Sequence, residues 1–232
     1  MTTDLLVALL TLVSLEVILG IDNVIFISIL SDKLPQAERK KLRQTGMGLA
    51  MIMRLVLLTL ISYIMKLEND LFTIADIDIS GKDIILITGG LFLMYKSTKE
   101  IYLKTEHAGE EDDLVKTKAH TFKDLLLQIL VLDIVFSIDS IVTAVGMVDN
   151  IWIMYAAVII SVGIMLMASG SISKFIHEHP SFKVLALCFL IVIGISLIAE
   201  GLDQHIPKAY IYFSMAFAFL VDVIQMKTAK KH

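Results

Sequence analysis

Long apolar runs separated by short polar connections make up most of this chain. Seven stretches approach the roughly 20 residues that a membrane-spanning helix needs, at residues 5–30, 46–66, 83–103, 125–147, 151–173, 184–202 and 209–226. Hydrophobic residues account for 56% of the sequence and only three residues are proline, whereas a soluble domain is roughly 45 to 50% apolar. The pattern predicts an all-α integral membrane protein with seven transmembrane helices.

Two of these apolar runs are interrupted by the same polar pattern. The first reads LEVILGIDNVIF at residues 15–26, and the second reads LDIVFSIDSIVT at residues 132–143. The corresponding positions are Glu16 and Asp133, Asp22 and Asp139, and Asn23 and Ser140. Because each unit that begins with a motif contains three spans, an odd number, the second copy crosses the membrane in the opposite direction. Inverted repeats of this kind form the basis of many secondary transporters, so we predict a 3+3 inverted repeat with one additional C-terminal helix.

The whole chain, 1–232, is therefore expected to form one transmembrane domain. Its predicted parts are repeat one at 5–103, a cytoplasmic linker at 104–123, repeat two at 124–202 and a seventh helix at 209–226.

The net charge of −4 says little by itself, but the positions of the basic residues indicate an orientation. Lysine and arginine concentrate in alternate connections, most densely at 31–44 and 104–123, whereas the opposite connections contain only Lys66, Lys82 and Lys208. Cytoplasmic loops carry the excess of basic residues. We therefore expect a multi-pass protein of the inner (plasma) membrane, with its N-terminus outside and its C-terminus in the cytoplasm.

The acids inside the predicted spans are costly, since an Asp at the centre of a spanning helix costs about 2.5 to 3.5 kcal/mol. The predicted spans contain two bases, Arg54 and Lys96, to balance the four motif acids. Asp222 in the last span adds another negative charge. The acids could be neutralised by protons or by structural ion pairs. A divalent cation would also balance the remaining charge, and the recurrence of the acids in both repeats favours such a functional site.

Helix geometry limits how the acids could share an ion. In an unbroken helix Glu16 and Asp22 lie about 9 Å apart along the axis and about 120° apart around it, so they cannot chelate one ion together. Either the helices unwind at Gly20 and Ser137, or an ion lies between the repeats and takes Asp22 from one and Asp139 from the other. We expect a combination, with the backbone near Gly20 opened.

Carboxylate, amide and hydroxyl oxygens without Cys or His select hard cations such as Mg²⁺, Ca²⁺ or Mn²⁺. The residues alone do not choose among these three ions.

The two motifs, the GGLFLMYKSTKEI segment and the closing HIPKAYIYFSMAFAFLVDVIQ resemble the TerC family of integral membrane proteins in its short form. The resemblance extends over nearly the whole chain. It implies efflux of divalent metal, chiefly Mn²⁺, and it places the family's metal site on Glu16, Asp22, Asn23, Asp133, Asp139 and Ser140. Family members often carry Glu and Asn in the last span, where this chain has Asp222 and Gln225.

The leading hypothesis is export of a divalent cation by alternating access, with the cation as substrate and the lipid bilayer as surroundings. The alternatives are proton-coupled export of an organic solute, and a non-transporting factor that assists metalation or insertion of other proteins. No nucleophile elbow, phosphate loop or HExxH pattern occurs, so we expect no enzymatic activity. We also expect no nucleic-acid partner, and a homodimer is a candidate assembly.

Overall fold

The computed structural model describes residues 2–65, 70–74, 77–106, 121–148, 150–204 and 206–229. In chain order its elements are α1 (Thr2–Ser31), α2 (Gln36–Thr59), α3 (Ile61–Ile64), β1 (Asp70–Ile74), β2 (Ile77–Ser80), α4 (Gly81–Glu106), α5 (Phe122–Met147), α6 (Ile151–Glu178), α7 (Pro180–Glu200) and α8 (Lys208–Ala229).

Seven long helices dominate the described part of the chain, and five of them, α1, α5, α6, α7 and α8, are long and apolar enough to cross a membrane. The other two, α2 and α4, contain more charge, including Arg54 and Lys96 within their apolar stretches. The predicted helical membrane architecture is thus confirmed, while the count of seven spans stays a prediction. Most of the predicted linker, 107–120, lies outside the described residues.

A short antiparallel hairpin of β1 and β2 precedes α4 and is absent from the all-α prediction. The pairing joins Thr73 to Asp78 and Ile74 to Ile77. Ser80 and Asp83 then fix the junction with α4, because the Ser80 amide and hydroxyl both donate to Asp83 Oδ2, at 2.9 and 2.6 Å.

The predicted opening of the motif helices is wrong, because α1 is continuous through Gly20 and α5 is continuous through Ser137. Gly20 serves a close helix contact instead, since a Cβ there would overlap the thioether of Met165 on α6. Ser137 remains helical while its Oγ donates to Asp133 Oδ2 at 3.2 Å. The sequence cannot distinguish a glycine that breaks a membrane helix from one that lets two helices approach closely.

The helices of the two halves pack mainly on each other. Helix α1 makes its most extensive contacts with α6, α2 with α5, and α4 with α7. The four motif acids are buried inside the bundle, whereas large apolar side chains such as Leu6, Leu10, Phe213 and Phe217 lie on the outer surface. In a membrane protein, such a surface faces the lipid.

Helices α4 and α7 cross at a reciprocal pair of glycines. A Cβ on Gly90 would lie 2.6 Å from the carbonyl oxygen of Gly194 and 2.8 Å from Ile198 Cγ1. A Cβ on Gly194 would lie 2.9 Å from the carbonyl oxygen of Gly90 and 2.7 Å from Met94 Cγ. Backbone thus meets backbone at this crossing, and each helix presents the same kind of surface to the other.

We expect Gly90→Ala to lower stability by about 1 to 3 kcal/mol, the usual cost of overpacking a tight contact. The helix backbones must separate because the obstructing atom is a carbonyl oxygen rather than a flexible side chain. Thermal unfolding in detergent measures the effect. Gly163→Ala on α6 is the matched control, since a Cβ there meets nothing within 4 Å, and it should be neutral or slightly stabilising. Equal melting temperatures for the two variants would contradict this account of the crossing.

Candidate functional site

The guanidinium of Arg54 joins the two motif helices at the centre of the bundle. Arg54 lies on α2 and is 3% exposed. Its Nη1 donates to Glu16 Oε2 on α1, and its Nη2 donates to Asp133 Oδ1 on α5 at 3.4 Å. The first acid of each motif is therefore held by the same base. Buried charges of this kind require pairing, and Arg54 supplies it for both.

Asp133 has two further hydrogen-bond donors. Asn23 Nδ2 on α1 donates to Asp133 Oδ1 at 3.4 Å, and Ser137 Oγ donates to Oδ2 at 3.2 Å. The Asn23 contact is a direct link between the first and the second motif. Together with Arg54, these contacts satisfy the Asp133 carboxylate with protein groups alone.

The second acids of the motifs have a different environment, because Asp22 and Asp139 line one cavity. The cavity comprises about 500 Å³ of empty space including its open side. Its remaining lining side chains come from five helices: Leu19, Arg54, Phe136, Ser140, Ile193, Ser196, Leu197, Lys208, Ile211 and Tyr212. Ser140 belongs to the predicted set, and its Oγ donates to the carbonyl oxygen of Ser137 at 3.3 Å.

Asp139 forms an ion pair with Lys208, the first residue of α8. The Lys208 ammonium lies 2.5 Å from Asp139 Oδ2 and 3.6 Å from Glu200 Oε2 at the end of α7. The Lys208 side chain is 27% exposed, whereas that of Asp139 is 8% exposed. The ammonium therefore lies between a buried carboxylate and a more accessible one.

Asp22 is 4% exposed and makes no hydrogen bond or ion pair with any residue that the structure describes. Its carboxylate lines the cavity that also contains Asp139 and Tyr212. A buried carboxylate without a protein partner is costly. Asp22 is thus the group in this cavity with the greatest need for a cation or a proton.

A second, smaller cavity also borders Arg54. It has about 300 Å³ of empty space, including its open side, and Asn23, Arg54 and Asp133 supply its polar lining. The apolar lining consists of Val24, Ile27, Met47, Ala50, Met51, Val162 and Met165. Arg54 therefore lines both cavities, whereas Asp133 lines only the second.

The six predicted site residues thus fall into two neighbouring groups. Arg54 holds Glu16 and Asp133, with Asn23 beside them, whereas Asp22, Asp139 and Ser140 line the first cavity. Within the described residues, no three His, Cys, Asp or Glu side chains come together as a ready metal cluster. Any ion at Asp22 and Asp139 would therefore also need hydroxyl groups or water as ligands.

The other predicted charges lie away from this centre. Lys96 Nζ is 5.5 Å from the centre of the Phe92 ring, one turn before Glu100, which pairs with Lys33 at 2.5 Å. Asp222 accepts a 3.5 Å hydrogen bond from Ser181 at the start of α7, about 21 Å along α8 from Lys208. In the structure, neither residue pairs with any of the four motif acids.

Three residues of the site, Lys208, Glu200 and Tyr212, are not among those predicted from the sequence. Lys208 was counted only as a loop base, although its spacing of four residues from Tyr212 places both on one face of α8. Both side chains line the cavity with the motif acids. A basic residue at the first position of an apolar helix, followed by a tyrosine on the same face, is the signal that could have indicated them.

Comparison with known families gives one match over almost the entire chain. The model described as "Integral membrane protein TerC family" matches residues 1–231.

Several UPF0053 proteins are similar to the chain. The UPF0053 inner membrane protein YgdQ of Escherichia coli K12 is 49% identical over 97% of this chain and 94% of its own length. A UPF0053 protein of Haemophilus influenzae is 48% identical over 95% of this chain and 93% of its own length. The UPF0053 inner membrane protein YoaE of Escherichia coli K12 is 47% identical over 93% of this chain, but only 41% of YoaE is covered. No solved structure matches the chain.

Proposed function

The chain belongs to the TerC family of integral membrane proteins, and from this premise we propose that it transports a divalent metal cation. The proposed substrate is Mn²⁺, exported by alternating access through the carboxylates of the two motifs. Ca²⁺ and Mg²⁺ are the alternative ions of the same chemical class. The proposal assigns the chain no enzymatic activity.

The observation that carries the proposal is the pair of acids in the first cavity. Asp22 comes from one motif and Asp139 from the other, and the carboxylate of Asp22 lacks a partner among the described residues. Ser140 and Tyr212 add hydroxyl oxygens to the same lining. This is an all-oxygen donor set suited to a hard cation.

Charge balance also supports a cation. Glu16, Asp22, Asp133, Asp139 and Glu200 are five carboxylates in or beside the connected network, against the three bases Arg54, Lys208 and Lys82, the last of which interacts electrostatically with Glu200. A divalent cation balances the two remaining negative charges. Two carboxylates, those of Asp22 and Asp139, line the cavity. So small a number suits transport, because a substrate must bind well enough to enter and weakly enough to leave.

The packing of the helices supports an inverted repeat. The exchange of partners, with α1 on α6 and α2 on α5, is the arrangement expected of two intertwined halves. The reciprocal contacts of Gly90 and Gly194 place α4 and α7 in equivalent surroundings. On this proposal α2 and α4 also span the membrane, seven spans in all, and the two halves move relative to each other around the site.

The proposed direction of access follows from the basic connections. With the N-terminus outside, Lys208 lies at the outer mouth of the first cavity, and the second cavity lies on the cytoplasmic side. The names of the relatives YgdQ and YoaE place those proteins in the inner membrane, and we propose the same location for this chain. A homodimer stays a prediction.

An ion-pair cluster at the opposite end of the bundle supports a closed cytoplasmic side. Asp32, after α1, accepts from Lys183 on α7 at 3.0 Å and lies 3.5 Å from Arg39 on α2 and 3.9 Å from His177 on α6. One carboxylate thus links the end of α1 to bases on α2 and α7, with His177 of α6 beside it. Alternating access requires one closed and one open side, and these pairs would have to separate when the cytoplasmic side opens.

The test is transport by the purified chain in liposomes. We expect saturable Mn²⁺ flux above that of protein-free liposomes, with competition by excess Ca²⁺ or Mg²⁺ ranking the ions. Absence of flux together with retained Mn²⁺ binding would favour the non-transporting role in metalation of other proteins. Absence of both would refute a metal function.

A second candidate substrate is an organic amine, because the cavity already accommodates the primary ammonium group of Lys208 against Asp139. The cavity also has an apolar lining, including Leu19, Phe136 and Ile193. The same liposomes distinguish the two, since an amine exporter would move a labelled amino acid such as lysine and would show no saturable Mn²⁺ flux.

A further inference from the structure

Lys208 occupies the position on Asp139 that a substrate cation would need. Its ammonium lies 2.5 Å from Asp139 Oδ2, whereas a divalent cation would bind the same oxygen at about 2.0 to 2.6 Å. Both cannot occupy one oxygen from the same side. Binding of an ion by Asp139 therefore requires the ammonium to leave.

Glu200 offers the ammonium a second acceptor. Its Oε2 is 3.6 Å from Lys208 Nζ in the present arrangement, and its side chain is 20% exposed. The lysine stem is long and flexible. A small swing would exchange the Asp139 carboxylate for that of Glu200 without leaving the ammonium unpaired.

We propose that Lys208 is an internal substitute for the transported cation, bound to Asp139 when the site is empty and displaced to Glu200 when the ion binds. This role rests on the proposed function of the same site, and it makes Lys208 a residue that sets affinity and permits return of the empty transporter.

The consequence for the transport cycle concerns the empty state. An unpaired carboxylate in the membrane interior is costly to move. Lys208 neutralises Asp139 in the empty protein, so that only Asp22 in this cavity needs a proton before the empty transporter changes access. Without Lys208, Asp139 would have a cationic partner only when an ion is bound, and the transporter would exchange ions across the membrane but would not carry out net export.

The first test measures Mn²⁺ affinity of the purified full chain by calorimetry. Lys208→Gln should bind Mn²⁺ about ten-fold more tightly than wild type, because a competing charge-assisted hydrogen bond is removed. Lys208→Arg keeps the competing charge and should not bind more tightly. Lys174→Gln, which removes a lysine with a 77% exposed side chain, is the matched control and should leave the affinity unchanged.

A double-mutant cycle with Glu200 separates displacement from direct ligation. Glu200→Gln should weaken Mn²⁺ binding in the wild-type background, since the displaced ammonium loses its acceptor. In the Lys208→Gln background the same change should have no effect, because no ammonium remains to be displaced. An equal weakening in both backgrounds would make Glu200 an ion ligand and would overturn the exchange mechanism.

Liposome fluxes distinguish the proposed role of Lys208 from a merely structural one. Lys208→Gln should lose at least ten-fold in net Mn²⁺ flux, while exchange of radioactive Mn²⁺ for unlabelled Mn²⁺ across the membrane should persist. Loss of both fluxes, or unchanged affinity in Lys208→Gln beside a binding wild type, would overturn the role of Lys208 alone. A wild type without saturable Mn²⁺ binding or flux would refute the proposed function, and the role of Lys208 with it.

Discussion

Replacement of Arg54 by leucine is expected to destabilise the protein by about 3 to 5 kcal/mol, the usual cost of removing one partner of a buried ion pair. Arg54 is 3% exposed and binds Glu16 on α1 and Asp133 on α5. Without it, Glu16 loses the base that neutralises it, while Asp133 keeps only the hydrogen bonds from Asn23 and Ser137. Thermal unfolding in detergent, followed by circular dichroism, measures the loss.

Arg43→Leu is the matched control, because it lies on the same helix and donates a 2.9 Å hydrogen bond to Ser173 Oγ. Loss of that bond should cost about 1 kcal/mol. Adding Glu16→Gln and Asp133→Asn to Arg54→Leu should restore much of the lost stability, since no buried charge then remains unpaired at this point. A triple variant no more stable than Arg54→Leu would show that Arg54 stabilises the bundle through packing rather than charge.

The helical membrane architecture was predictable because apolar run length indicates it directly. The positions at which the helices begin and end were less predictable. The second run was predicted from residue 46, whereas α2 begins at Gln36, because its first turns are a charged helical segment that hydropathy alone does not recognise. The hairpin of β1 and β2 was missed for a related reason: strand pairing depends on contacts between segments, and these two strands are only five and four residues long.

The acids of the site were predictable because ionisable groups inside apolar runs are conspicuous. The repeated pattern also matches each acid of the first motif with an acid of the second. The hydrogen-bond and ion-pair partners of these acids were not predictable from the sequence. The pairing of Arg54 with Glu16 and Asp133, rather than with Asp22 or Asp139, depends on how α2 lies between α1 and α5. Lys208 looked like a loop base because its neighbours in sequence do not reveal that α8 begins beside Asp139.

The division of the acids into two groups gives them different expected roles. Glu16 and Asp133 are satisfied by protein donors and hold the halves together through Arg54. Asp22 and Asp139 line the first cavity, the site of the proposed transport. Substitutions in the first group should therefore reduce stability before they change specificity, and substitutions in the second should do the reverse.

Asp22→Asn and Asp139→Asn should each reduce Mn²⁺ flux in liposomes by about 100-fold or more, a loss at least as large as those typical of metal sites that lose a supporting group. Asparagine keeps the shape of the side chain and removes the negative charge that attracts the cation. Parallel calorimetry should show a matching loss of Mn²⁺ affinity.

Stability should respond differently from transport in these variants. Asp22 makes no hydrogen bond or ion pair in the described chain, so Asp22→Asn removes a buried charge and should be neutral or stabilising. In Asp139→Asn, Lys208 still has Glu200 within 3.6 Å, which limits the cost. Asp124→Asn is the control, because Asp124 is exposed on the same helix as Asp139, and its flux should stay within about two-fold of wild type, as for surface substitutions in general. Wild-type flux in either cavity variant would remove Asp22 and Asp139 from the transport site, since a cation bound by two carboxylates cannot lose one without consequence.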